Sequence, residues 1–180
     1  MPSGNVVKAV FLDRDGVLNR DTGYAHKPAD MQLLPGVPEA LKVLKDRGYL
    51  LVVVTNQSGV ARGFYDVAAV DTFHAAMQNA LKPSDVQLDA FYLCPHLDGC
   101  DCRKPKPGMV LQAAREHGIE LGLSYMVGDK ASDITCAIAA GVRPIQIGRD
   151  GEAKHPGAFT QVADLAAAAT VILSAAKDLS

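Results

Sequence analysis

No apolar run in this chain approaches the roughly 20 residues of a membrane-spanning helix, and no basic-then-apolar stretch of the secretory kind opens it. Neither membrane insertion nor export is therefore expected, and the cytoplasm is the expected compartment. Excess charge is missing as well. A formal net charge of −2 over 180 residues provides no broad attraction for nucleic acid or an anionic membrane. In a reducing compartment the four cysteines read as thiols or metal ligands and not as a disulfide framework. The chain has no Gly-x-x-x-x-Gly-Lys-Ser/Thr loop to cradle a nucleoside triphosphate and no Gly-x-Gly-x-x-Gly run for a dinucleotide. Internal repeats and low-complexity linkers are also absent. What is left is an ordinary globular composition, 48% hydrophobic and 21% charged, in a length that fits one domain over residues 1–180. A monomer is expected.

The chain is organised around Val10-Phe11-Leu12-Asp13-Arg14-Asp15-Gly16. Residues 7–12 read as a buried strand, because an unbroken apolar run suits a parallel sheet covered on both faces. Asp13 and Asp15 follow at its carboxyl end, where open α/β sheets place their ligands. On extended backbone their side chains point to one side, and two such carboxylates repel unless a cation joins them. Mg²⁺ suits that pair. A plain Asp-Gly turn is the competing reading.

Further strands are expected at 49–54, 90–93, 125–127 and 143–148, alternating with helices at 37–47, 66–81, 109–117 and 134–140. Toward the end, 165–169 reads as helix and 170–173 as extended. This alternation gives an α/β fold with a doubly wound parallel sheet, which gathers the strand ends on one edge. Three more stretches carry chemistry there. Thr55-Asn56-Gln57-Ser58-Gly59 offers a hydroxyl, amides and backbone donors to an anion, or else forms a simple Asx turn. Arg103-Lys104-Pro105-Lys106 places three cations before a helix, as an anion site or a solvated basic turn. Gly128-Asp129-Lys130-Ala131-Ser132-Asp133 sets a carboxylate past a strand and a second one helical turn later. Ahead of the first helix, Asp21, Thr22, Gly23, Tyr24 and His26 lie on a turn-rich loop as candidate substrate contacts.

Cys94, His96, Cys100 and Cys102 fall within nine residues. By ligand type and number they match a closed tetrahedral zinc site, structural because protein fills all four positions. Redox-active or incidental thiols are the alternative. Cys136 reads as a small core residue.

Taken in order, Asp13-Arg14-Asp15-Gly16, Thr55-Asn56-Gln57, Lys104 and Gly128-Asp129-x-x-x-Asp133 resemble the four motifs of the haloacid dehalogenase (HAD) superfamily of phosphatases. The resemblance implies Asp13 as nucleophile, forming an aspartyl-phosphate, and Asp15 as general acid and then base. It implies Thr55 and Lys104 on the phosphoryl oxygens. Mg²⁺ would be held by Asp13, Asp129 and the backbone carbonyl of Asp15, with Asp133 orienting the group from behind. Neither gap in which this superfamily inserts a cap holds a folded insert, so a capless Rossmann-type domain with a zinc-binding loop is expected. The Cys-x-His…Cys-x-Cys-Arg-Lys-Pro run is similar to two groups, the heptose bisphosphate 7-phosphatases of lipopolysaccharide synthesis and the histidinol-phosphate phosphatases. Asp21-x-Gly23-Tyr24-x-His26, Arg103 and Gly128-Asp129-Lys130 lean toward the heptose group, in which the loop Asp21 to Tyr24, Arg103 and Lys130 contact the sugar or its distal phosphate. Asn56, Gln57 and Ser58 are expected beside them. The partner is thus a small phosphorylated sugar. A non-catalytic zinc-loop interaction module and a phosphotransferase acting on protein aspartate are the readings from other classes.

Overall fold

The computed structural model describes residues 6–148 and 151–177; residues 1–5, 149, 150 and 178–180 of the expected domain lie outside the described residues. Six strands form one parallel sheet in the order β3-β2-β1-β4-β5-β6. They are β1 (Lys8–Leu12), β2 (Tyr49–Asn56), β3 (Ala90–Cys94), β4 (Tyr125–Gly128), β5 (Arg143–Ile147) and β6 (Thr160–Val162). The helices are α1 (Val37–Asp46), α2 (Val67–Leu81), α3 (Gly108–His117), α4 (Ala131–Ala140) and α5 (Leu165–Lys177).

The unbroken apolar runs are explained by burial on both faces. In β1, Val10 and Leu12 join one core while Ala9 and Phe11 join the other, as alternation along a strand requires. β2 repeats the pattern, with Leu51 and Val53 facing one way and Val52 and Val54 the other. The first core is covered by α1, α2 and α5 through Leu41, Leu44, Phe73, Met77, Ala168 and Ile172. The second is covered by α3 and α4 through Met109, Val110, Ala113, Cys136 and Ala137. Each fully buried Leu or Phe contributes roughly 1.5–3 kcal/mol, so no local propensity competes with this layering.

The sheet has one more strand than expected. β6 is a three-residue edge strand of half-buried residues, too short and too polar to stand out in the sequence. Residues 170–173 are helical, not extended. The β-branched Thr170, Val171 and Ile172 argue locally for a strand. Leu165, Ala168, Ala169 and Ile172 are nevertheless all buried at helical spacing, and the Thr170 hydroxyl donates to the Ala166 carbonyl one turn back (3.1 Å). Tertiary burial decides the conformation.

The strand order reverses direction between β1 and β4, which opens a crevice at their carboxyl ends. Between β1 and α1 there is only loop and a 3₁₀ turn, Pro28–Asp30; between β2 and β3 there are α2 and a second 3₁₀ turn, Lys82–Ser84. No folded cap covers the crevice among the described residues. Nor is any helix of these residues long and apolar enough to cross a membrane.

Candidate active site

β1 delivers Asp13 to the crevice, and the Asp13 N–H donates to the Val127 carbonyl (3.0 Å), extending the β1–β4 pairing by one residue. Lys104, from the loop before α3, reaches across to it. Its Nζ lies 2.8 Å from Asp13 Oδ1, 2.7 Å from Asp133 Oδ1 and 2.8 Å from the Val54 carbonyl. All three charged residues are almost fully buried. Burial alone would lower the Lys104 pKa, but the two carboxylates outweigh it and push it up. Asp133 Oδ2 also accepts the Lys130 N–H (3.1 Å), which fixes the first turn of α4.

Asp129 follows β4. Burial, reinforced by the negative charge of Asp13, pushes its pKa up to about 7, and its Oδ1 is buried without a hydrogen-bond partner. Asp13, Asp129 and Asp133 offer oxygens within 4.8 Å of one another. One lysine cannot neutralise three crowded carboxylates, so this donor set fits a hard divalent cation. Gly16 keeps the approach open. Its φ is +88°, and a Cβ there would collide with the Asp129 carboxylate.

The Asp15 carboxylate is paired within the chain itself. Arg14, wholly buried, donates from Nη2 to Asp15 Oδ2 (3.0 Å) and from Nε to Asp15 Oδ1 (3.2 Å). Asn19 Nδ2 and Gln57 Nε2 complete the ring of donors at 2.9 and 3.2 Å. Asp13 and Asp15 still face one small cavity, together with Asn56, Lys104, Lys130, Ser132 and Asp133. Arg14 was not singled out in the sequence, although a guanidinium between two aspartates was a visible signal. It also donates to the Ala25 carbonyl (2.7 Å) and lies over the Phe73 ring (4.4 Å), tying the loop after β1 to the site.

That cavity opens into a cleft of about 360 Å³ lined by Asp21, Gly23, Tyr24, Gln57, Ser58, Arg103 and Lys130, with Asn56, Tyr65 and Ser132. The expected contacts therefore converge, except for Thr22 and His26, which face an adjoining concavity beside Arg20. Asn56 has a bracing role: its side-chain amide exchanges two 3.0 Å hydrogen bonds with the backbone of Lys104. Thr55 is buried at the end of β2 and accepts a hydrogen bond from Gln57 Nε2 (2.8 Å). Tyr65 and Ser132 line the cleft without having been predicted, since neither lies at a strand end. Lys130 Nζ is 3.5 Å from Asp21 Oδ2 across the cleft.

Cys94, His96, Cys100 and Cys102 come together at the end of β3. Cys94 Sγ is 3.0 Å from Cys102 Sγ and 3.6 Å from Cys100 Sγ, and His96 Nδ1 is 3.3 Å from Cys102 Sγ. Ligands around 2.3 Å from one tetrahedral centre stand about 3.8 Å apart, so this cluster needs only a slight expansion to fit zinc. Burial and the neighbouring Cys94 thiol push Cys102 up to about 12, a penalty that a bound cation would remove. Cys136 is a buried core residue outside the cluster, as expected.

The HAD-hydrolase-like family model matches residues 101–173. The chain is 48% identical over 155 residues to the D-glycero-β-D-manno-heptose-1,7-bisphosphate 7-phosphatase of Haemophilus ducreyi, covering 81% of this chain and 85% of that protein. It is 44% identical over 161 residues to the enzyme of the same name from Escherichia coli K12, covering 84% of each. The chain belongs to the heptose bisphosphate phosphatase family of HAD-like hydrolases. Among solved structures, the D,D-heptose 1,7-bisphosphate phosphatase of B. bronchiseptica, complexed with magnesium and phosphate, superposes with a TM-score of 0.85 at 36% identity, covering 94% of this chain and 99% of that one. The enzyme from Burkholderia thailandensis gives 0.69 at 31% identity, covering 93% and 99%. This phosphatase family fits the crowded carboxylates, the buried lysine and the open crevice described above.

Proposed function

We propose that this chain hydrolyses the 7-phosphate of D-glycero-β-D-manno-heptose 1,7-bisphosphate in the cytoplasm, with Mg²⁺ at Asp13 and Asp129 and zinc in the cysteine loop. The observation that carries the reading is the buried Asp13–Lys104–Asp133 group beneath a cleft bearing two further cations, Arg103 and Lys130. One phosphoryl group needs Lys104 and a metal ion; a second phosphate on the same substrate gives the other cations a partner. The β anomer is the one named in the relatives.

The chemistry follows from the side chains. Lys104 and the Arg14 N–H hold Asp13 Oδ1 and so fix the rotation of the carboxylate that attacks phosphorus. As the Asp13–phosphorus bond forms, the bond from phosphorus to the C7 oxygen breaks, and that oxygen takes the proton of Asp15. Water then attacks the aspartyl-phosphate, Asp15 accepts its proton, and inorganic phosphate leaves with Asp13 restored. Thr55 and Lys104 hold the phosphoryl oxygens throughout, so most of the catalysis is positioning and charge neutralisation. Mg²⁺, when bound, supplies positive charge against those oxygens. The zinc loop serves by placement. Arg103 Nη1 donates to the His96 carbonyl (3.1 Å), and Lys104 follows Cys102 by two residues.

The test is phosphate release with Mg²⁺ from both anomers of heptose 1,7-bisphosphate, fructose 1,6-bisphosphate, histidinol phosphate and an aryl phosphate. A kcat/KM preference for the β heptose bisphosphate supports the reading. Preference for histidinol phosphate would overturn the substrate and keep the chemistry; Arg103 and Lys130 at the cleft argue against that cationic substrate. No turnover of any of them would overturn the whole reading.

A further inference from the structure

The hydrogen bonds around Gln57 all run in one direction. The Tyr65 hydroxyl donates to Gln57 Oε1 (2.8 Å), while Gln57 Nε2 donates to Thr55 Oγ1 (2.8 Å) and Asp15 Oδ2 (3.2 Å). A hydroxyl has one proton to give and two lone pairs to receive. Because Thr55 Oγ1 receives from Gln57, its own proton stays free for another acceptor. If the amide turned over, Oε1 would take that proton and also face the Asp15 carboxylate. The two ends of an amide are nearly equal in size, so hydrogen-bond partners alone choose between them.

The Asp15 carboxylate can only accept and so draws the Nε2 end, and the buried Oε1 then needs a donor, which is Tyr65. Its ring packs so closely on Gly59 that a Cβ there would collide with it, which gives the glycine of Thr55-Asn56-Gln57-Ser58-Gly59 a steric reason. The His26 ring stacks on Tyr65 at 4.4 Å and 15°. Burial pushes the phenol pKa up, so the hydroxyl keeps its proton. Gln57 is only 2% exposed, which leaves little room for water to replace the phenol as partner of Oε1.

We infer that Tyr65 is a positioning residue whose hydroxyl fixes the Gln57 amide, so that Thr55 keeps its proton for the phosphoryl group and Asp15 keeps the Nε2 hydrogen bond. This rests on the phosphatase reading and adds to it a residue acting from behind Thr55 and Asp15.

The experiment compares the Y65F, Q57M, Q57E and Y65F/Q57M variants of the full chain with Mg²⁺, measuring kcat, KM and inhibition by inorganic phosphate, with melting curves for each. Y65F should lower kcat/KM by about fivefold to tenfold, the size of one neutral hydrogen bond. Y65F should cost nothing further in the Q57M background. Q57E is closer in shape to glutamine than Q57M is, yet it should lose more activity and bind phosphate more weakly. Its carboxylate would take the Thr55 proton and repel Asp15. A purely packing role predicts the reverse order, with Q57E mildest and the Tyr65 and Gln57 losses multiplying. Either result would overturn the inference. If Q57E does not fold, the Y65F/Q57M cycle decides alone. An active wild type with the wrong ranking defeats only this inference, whereas an inactive wild type defeats the phosphatase reading beneath it.

Discussion

Lys104 and Asp13, 91 residues apart in the chain, meet in a buried ion pair of 2.8 Å. Nothing local favours that contact, so the sheet must bring them together. The ammonium also bonds Asp133 and the Val54 carbonyl, so the end of β1, the strand β2 and the first turn of α4 share one charge. Lys104→Met removes the cation and leaves two buried carboxylates facing each other. Breaking a buried pair by deleting one partner costs about 3–5 kcal/mol. The variant should melt well below wild type and lose phosphatase activity even where it remains folded. Lys104→Met with wild-type melting would show that the ammonium does not neutralise the site.

Asp13→Asn keeps the shape of the side chain and leaves Lys104 paired with Asp133. Turnover should fall by roughly four orders of magnitude or more, as when other covalent nucleophiles are removed. The fold and phosphate binding should persist. Trapping with a labelled substrate should modify wild type and not the variant; turnover by Asp13→Asn close to the wild-type rate would remove Asp13 as nucleophile.

Much of this site is visible in the sequence because three of its four motifs close a strand. Asp13, Thr55 and Asp129 follow apolar runs that could only be buried strands, and a parallel sheet gathers such ends. The cysteine–histidine cluster is equally legible, since Cys94 to Cys102 carries its spacing within nine residues. Arg14, Tyr65 and Ser132 were missed because their positions depend on packing. Arg14 is buried against Phe73, and Tyr65 lies on Gly59, contacts that leave no periodic trace. The extended reading of residues 170–173 failed for a related reason: β-branched residues prefer strands locally, while burial of Ile172 against the first core required a helix.

Zinc in the loop should be stoichiometric, one ion per chain, and Cys100→Ser should lower that ratio. Stripping zinc and restoring Mg²⁺ should lower Tm by roughly 5–10 °C, the shift expected for a loss of a few kcal/mol in a chain of this size. Activity should fall with it, because Arg103 and Lys104 leave directly from the loop. A zinc-free, Mg²⁺-replete protein with unchanged Tm and activity would reject a structural ion.

Asp129 should set the pH dependence of Mg²⁺ binding. Burial and the Asp13 charge raise its pKa to about 7. Between its ordinary value and pH 7 the folded chain therefore holds a proton that the unfolded chain has lost. Without a cation, the contribution of this group to stability falls as pH rises through that window. A cation must displace the proton, so Mg²⁺ should bind more tightly as pH rises toward 7 and level off above it. The Tm gain from a fixed, subsaturating Mg²⁺ concentration should be larger at pH 7.5 than at pH 5.5. Equal gains would show that Asp129 does not ligate the ion.

His74 carries the opposite dependence. It lies on α2, stacked on Phe91 at 4.4 Å, with Nε2 buried and without a hydrogen-bond partner. Burial, followed by the positive charge of Arg14, lowers its pKa to about 3. Below its ordinary value of 6.5 the unfolded chain takes up a proton that the folded chain refuses, so stability is lost as pH falls toward 3. At about 1.4 kcal/mol per pH unit, this one group removes about 2 kcal/mol between pH 6.5 and pH 5. His74→Phe keeps a ring against Phe91 and eliminates the titration. The difference in unfolding free energy between variant and wild type should therefore widen in favour of the variant by that amount over the same interval, while carboxylate contributions common to both proteins cancel. Denaturant unfolding at pH 7 and pH 5 measures it directly. A constant difference across the two pH values would mean that His74 is free to take up a proton in the folded protein.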